Sequence, residues 1–188
     1  SSGESLAIGA LHGAFDFAPG TESLVLGGNK PRFASFGGHL SLEGTLRKIG
    51  ASTQHFTNGA DLGAIDVQDG LLLLRTGTYA MPDADAFIHV GVESTTNSRL
   101  QLANRAVVDL REGVARVYGY DNKTSRLDVS AGARLDVGDL EVAGSGGALQ
   151  IGSGAVVTVA RTLTLVDESS VVVDRGSLIT TERILDNF

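Results

Sequence analysis

Short aliphatic strands recur at a fixed interval along the C-terminal half of this chain, and that interval decides most of what the chain can fold into. Leu127, Leu149 and Val171 are spaced by 22 residues, as are Val129, Ile151 and Val173. Leu135, Val157 and Ile179 keep the same step, as do Val137, Val159 and Thr181, and Gly132-Ala133 returns as Gly154-Ala155. A third strand at Leu140/Val142 recurs at Leu163/Leu165 with one residue inserted, and Leu185 follows 22 residues after Leu163. In triplets such as Leu127-Asp128-Val129, the outer residues point to one face of a strand and the middle one to the other. Gly, Ser, Asp and Asn fill the intervals, as turns require. One unit therefore holds three strands and three turns in about 22 residues. A sandwich of hairpins has no reason to keep such a register. A parallel β-solenoid does, because each coil stacks on the last and equivalent positions form continuous aliphatic ladders.

Composition agrees with that reading. Gly accounts for 25 of 188 residues, nearly twice the usual share of about 7%, and small residues at corners let a backbone turn sharply. Hydrophobic residues make up 42% of the chain but aromatics only 5%, so the core material is Ala, Val, Leu and Ile. The absence of Cys excludes a disulfide scaffold or a Cys-ligated metal. A net charge of −7, with no basic cluster beyond Arg47-Lys48, argues against a nucleic-acid partner. The longest apolar run, Leu71-Leu72-Leu73-Leu74, is far short of the roughly 20 residues a membrane-spanning helix needs. Ser1-Ser2-Gly3-Glu4 has neither the basic nor the apolar region of a secretory leader.

The ladder extends backward with a longer step. Leu100/Leu102, Val108/Leu110 and Ala115/Val117 map onto Leu127/Val129, Leu135/Val137 and Val142 with a shift of 27. That shift places the extra residues in a loop at 119–124. An earlier coil is expected to use Ile65/Val67, Leu72/Leu74 and Ile88/Val90, with inserted loops at 78–86 and 92–98. Residues 1–60 are less regular. Phe15/Phe17, Leu24/Leu26 and Leu40/Leu42 have the alternation of strands, and Asn29-Lys30-Pro31 breaks any strand there. Five of the seven Phe fall in this section, which suggests an irregular or capping start. The expectation is one solenoid domain over 1–188, with regular coils over 61–188. Uncapped coil ends expose strand edges, so a longer parent protein or end-to-end stacking of copies is expected.

The string from 125 to 181, SRLDVSAGARLDVGDLEVAGSGGALQIGSGAVVTVARTLTLVDESSVVVDRGSLITT, resembles the β-solenoid repeats of bacterial surface proteins. It is most similar to autotransporter passenger domains and autotransporter-associated β-strand repeats, and the resemblance covers about residues 60–188. The resemblance implies a right-handed parallel β-helix that acts outside the cell as an adhesin or structural stalk. Its motif is a fold signature and carries no functional residues with it.

Two groups of residues stand out as candidate sites. The loop residues Tyr118, Tyr120, Asp121, Asn122 and Lys123 are candidate contacts for a binding partner. Asp83, Asp85 and His89, with Arg75 and Arg99 nearby, form the best candidate catalytic set, because polysaccharide lyases and hydrolases pair carboxylates with a base. His12, His39 and His55 lack metal-ligand spacing. Gly144-Ser145-Gly146-Gly147 is followed by Ala-Leu-Gln rather than the Asp of a calcium-binding repeat. No metal or cofactor is expected. The sequence thus points to a non-catalytic extracellular structural or adhesive module of a bacterial surface or secreted protein. Its expected partners are a cell-surface or matrix glycan or protein, or copies of itself end to end. The alternative is a polysaccharide-active or carbohydrate-binding β-helix.

Overall fold

Alternation in a strand buries one side chain in two, and a repeat of alternating strands buries the same rows in every coil. A computed structural model describes the chain except for residues 1–3, 29–31, 93, 95, 131 and 188. The Asn29-Lys30-Pro31 break and parts of the 92–98 loop lie outside the described residues. The chain winds into a β-solenoid of about eight turns, entirely β among the described residues.

One face is a seven-stranded parallel sheet of β3 (Phe33–Phe36), β5 (Thr53–Phe56), β7 (Gly70–Leu74), β10 (Ser98–Leu102), β12 (Ser125–Val129), β14 (Gly147–Ile151) and β16 (Ser170–Val173). The other sheet holds ten strands. They are β1 (Ser5–Ile8), β2 (Ser23–Gly27), β4 (Leu40–Ile49), β6 (Ala60–Val67), β8 (Thr78–Ala80), β9 (Phe87–Val90), β11 (Val107–Tyr118), β13 (Arg134–Ala143), β15 (Val156–Val166) and β17 (Leu178–Asn187). Its long strands β4, β11, β13 and β15 each carry a register shift midway. The shift bends the sheet into a second and a third face. Among the described residues no helix is long and apolar enough to cross a membrane.

The register confirms the 22-residue ladders. Leu127 stacks on Leu149 and Leu149 on Val171, while Leu135 stacks on Val157 and Val157 on Ile179. Leu127, Leu135, Leu149, Val157 and their neighbours are fully buried in one continuous core. At ~1.5–3 kcal/mol for each buried aliphatic side chain, this ladder is the main source of cohesion.

Glycines at the bend let successive coils approach. A Cβ on Gly44 would run into the carbonyl oxygen of Glu22 one coil below, and one on Gly138 would come within 2.6 Å of the Gly113 carbonyl oxygen.

Several expectations are corrected by the register. Ala115 stacks on Leu140 and Val117 on Val142, a step of 25 rather than 27 on the third face. Two of the five extra residues sit at the bend, where Leu110 to Val114 corresponds to Val137 to Asp139. Only the other three enlarge the 119–124 loop. Ile184, not Leu185, stacks on Leu163, because the bend between Val159 and Thr162 holds one residue more than that between Thr181 and Arg183. The 78–86 segment is not all loop. Thr78–Ala80 is strand β8, Tyr79 and Met81 are buried, and the excursion begins after them.

Phe15 and Phe17 lie outside the named strands, and only isolated bridges, Gly13 to Phe36 and Phe17 to Leu40, tie this segment to the next coil. The stack itself runs unbroken across residue 60, through β4 and β6 and back to β1. Coil steps there are shorter, 18 from Phe56 to Leu74 and 20 from Phe36 to Phe56.

Candidate functional site

Outward rows stack as strictly as inward ones, so side chains one coil apart become lateral neighbours. On the third face Arg47, Asp66, His89, Arg116 and Glu141 form one such row. Arg47 Nε donates to Asp66 Oδ2 at 2.9 Å, and Arg116 Nε lies 3.5 Å from Glu141 Oε2. On the first face the buried Asp128 carboxylate accepts from both Arg99 and Arg126. Arg134 Nε donates to Asp136 Oδ2 at 2.6 Å, and Arg161 Nη2 to Asp139 Oδ2 at 2.7 Å. The Arg111 guanidinium beside Asp109 holds its carboxyl below the usual carboxylate range. Carboxylates paired this way serve as electrostatic cross-ties between and within coils.

The candidate catalytic residues separate. Asp83 and Asp85 are exposed on the excursion after β8. His89 stands in the outward row of the third face, its ring stacked on Phe87 at 4.2 Å and its Nε2 3.3 Å from Arg116 Nη1. Arg99 is committed to Asp128 on the first face.

Asp83 instead lines a groove of about 1020 Å³ along the bend of the first coils, together with Glu22, Glu43 and Asp61. Ser41 and Thr21 also line it. His39 Nε2 lies 2.9 Å from Asp61 Oδ2, beside this groove. The sequence reading missed Glu22, Glu43 and Asp61. Their signal was an acidic residue at intervals of 21, 18 and 22, masked by the unequal length of these coils. No aromatic ring lines the groove among the described residues, and no cluster of three or more His, Asp or Glu side chains there is arranged to hold a metal ion.

The binding candidates do converge. Tyr118 ends β11, and the 119–124 loop turns back through Asp121 and Asn122, both left-handed at φ 55° and 63°. Asn and Asp tolerate that conformation better than most residues. The turn is closed by Lys123 N–H donating to the Tyr120 carbonyl at 3.0 Å, and Thr124 N–H donates to Asn97 Oδ1 at 2.9 Å.

The loop and the turn of the preceding coil enclose a pocket of about 210 Å³. Its walls are Gly91, Val92, Ser94, Tyr118, Tyr120, Asp121, Lys123 and Ser125; Asn122 lies on the exposed outside of the turn. The rings of Tyr118 and Tyr120 meet edge to face, 6.1 Å apart. Burial, with a hydrogen bond to Glu141, pushes the Tyr118 phenol up to about 12. It therefore stays a neutral hydrogen-bonding group across the physiological range. Gly91, Val92 and Ser94 were not singled out from sequence because they reach the pocket from the preceding coil, and Ser125, which directly follows the loop, carries no signal of its own. Comparison with protein-family models, with curated proteins and with solved structures finds no match to this chain.

Proposed function

We propose that this chain is a non-catalytic structural or adhesive module of a bacterial surface or secreted protein, working outside the cell. The observation that carries this reading is the fate of the outward charges. Six acidic side chains are tied to arginines: Asp66, Asp128, Asp139 and Glu141 to arginines one coil away, which braces the coils, and Asp109 and Asp136 to arginines on their own strand. The braced coils form a stiff support, and the 119–124 loop is the feature they present. Contacts at such a loop are individually weak and gain strength when many copies are displayed together. The partners are a cell-surface or matrix glycan or protein, or further copies of the chain end to end. The test is adhesion. Beads coated with many copies of the chain should bind cells or immobilised polysaccharide far more strongly than the free chain does. Equal, negligible binding by both would overturn the adhesive reading.

A second reading, a polysaccharide-active or carbohydrate-binding β-helix, is favoured by the groove along the first coils, where Glu22, Glu43, Asp61 and Asp83 line one trough. A screen for release of reducing or unsaturated ends from polysaccharides decides it. Release that disappears in Asp83→Ala and Asp61→Ala would replace the first reading with this one.

A further inference from the structure

We infer that the pocket beneath the 119–124 loop is a binding subsite for one sugar unit, a single hexose or uronate ring at the end or branch point of a glycan. The inference rests on the adhesive reading and names the ligand of that same loop.

Size is the first argument. At about 210 Å³, the pocket is smaller than the roughly 300 Å³ at which drug-sized sites begin. It admits a single ring and not a chain, so a polymer reaches it only by a terminus or branch.

The walls supply the second argument. Tyr120 is 45% exposed and is braced edge-on by Tyr118. A rigid ring held half-open in this way offers a π face to the C–H side of a pyranose while keeping a polar tip in solvent. Its own hydroxyl reaches Asp167 Oδ2 of a later coil only at 3.4 Å, so little of its bonding capacity is used.

The polar groups are the third argument. Among the described residues Lys123 Nζ has one hydrogen bond, to the Ser94 carbonyl at 3.5 Å, and an ammonium carries three donors. Asp121 supplies acceptors across the same opening. Sugar hydroxyls both donate and accept, and a wall with one cation and one anion satisfies vicinal hydroxyls. The described lining residues bring no net charge to favour a phosphate or a metal ion.

Ser125 is the fourth. It is 1% exposed, and its Oγ is without a hydrogen-bond partner among the described residues. The hydroxyl lies where a Cβ on residue 91 would stand, so only Gly fits there. A buried hydroxyl left unpaired is costly. Ser125 lines the polar pocket, so this unpaired hydroxyl sits directly behind its wall.

The loop is also held in place before any ligand arrives, by the Lys123–Tyr120 and Thr124–Asn97 hydrogen bonds. Ordering costs on binding are correspondingly reduced.

Titration of the whole chain with glucose, galactose, mannose, N-acetylglucosamine and glucuronate, followed by saturation-transfer NMR, tests the assignment. At least one sugar should saturate, with a Kd on the order of 1 mM as suits a single small ring. Tyr120→Ala should weaken it about tenfold, the scale of one lost aromatic contact, while Tyr120→Phe retains it. Asp121→Asn and Lys123→Met should each weaken it about threefold to tenfold, the scale of one hydrogen bond. The far-ultraviolet spectrum and melting temperature of each variant confirm that the coils are intact. No saturable sugar, saturation by free amino acids instead, or unchanged binding in a folded Tyr120→Ala variant would overturn the inference. If coated beads adhere and Tyr120→Ala beads adhere equally, the pocket assignment falls and the adhesive reading stands. If nothing adheres and no sugar binds, both fall.

Discussion

The coils before residue 98 and those after it are built on the same ladders but filled differently. The later inward rows are aliphatic, as in Leu100, Leu127 and Leu149 or Val117 and Val142, apart from the small buried Ser98–Ser125 pair that opens the first face. The earlier rows contain intruders. Lys48 stacks between Leu26 and Val67, Gln54 between Ala34 and Leu72, and Tyr79 between Ala60 and Val108.

Each intruder is answered by main chain from a neighbouring segment. Lys48 Nζ donates to the carbonyls of Ile49 and Gly50 at 2.7 Å and of Asp69 at 3.2 Å. Gln54 donates to the Leu11 carbonyl at 2.9 Å and accepts from Leu11 N–H at 3.0 Å, reaching past the small Ala34. Tyr79 Oη donates to the Phe56 carbonyl at 2.9 Å. Parallel strand pairing sets the register in both halves. In the first half, buried polar groups also clamp unequal coils together, as buried polar groups must when they find partners.

The largest effect that would break this comparison belongs to the bend. In the first half, Gly44→Ala drives a methyl into the Glu22 carbonyl and should cost about 3 kcal/mol, the upper range of overpacking. Gly9→Ala, where nothing lies within 4 Å of the added methyl, should stay within about 0.5 kcal/mol. Thermal and urea denaturation of the pair measure the difference, and equal stability would remove the bend glycines as the device that sets coil spacing.

Tyr79→Phe comes next. It removes the Tyr79 hydroxyl's hydrogen bond to the Phe56 carbonyl, which keeps the Arg75 N–H as a donor, and should cost about 0.5–1.5 kcal/mol. Full wild-type stability would mean that the early intruders are tolerated rather than used as clamps.

The most diagnostic effect is a pH dependence. Burial, only partly offset by the Asp69 charge, lowers the Lys48 pKa to about 8. Between about pH 8 and the unfolded value of roughly 10.4, the folded chain has released a proton that the unfolded chain keeps. Raising the pH through this window therefore favours the folded state. The stability difference between wild type and Lys48→Met should grow in favour of wild type from pH 8 to 10, by at most a few kcal/mol. Tyr79 and Tyr118, whose phenols are pushed up, act in the opposite direction above pH 10 and equally in both proteins. A difference that stays flat from pH 7 to 10 would show that Lys48 keeps its ordinary pKa.

The loop illustrates how far the sequence reads into the site. Tyr118, Tyr120, Asp121 and Lys123 are close in the chain and share a turn, so their meeting was legible in advance. Gly91, Val92 and Ser94 come from about one coil earlier and Asp167 from a later one, and none could be placed without the register. The groove shows the same limit more sharply. Its acidic residues are 18 to 22 apart, while coil steps range from 18 for Ser5 to Ser23 up to 29 for Thr78 to Val107.

By itself, the sequence determined the all-β coil, its inward aliphatic rows and the small residues at its turns. Those follow from alternation and from a constant 22-residue step, both of which are one-dimensional. Only the tertiary structure decided how the extra residues divide between the bend at 111–113 and the 119–124 loop, which arginine meets which carboxylate, and which side chains share a pocket. In a solenoid every lateral neighbour lies one coil away, and where coil length varies that neighbour is set by strand pairing, not by sequence distance.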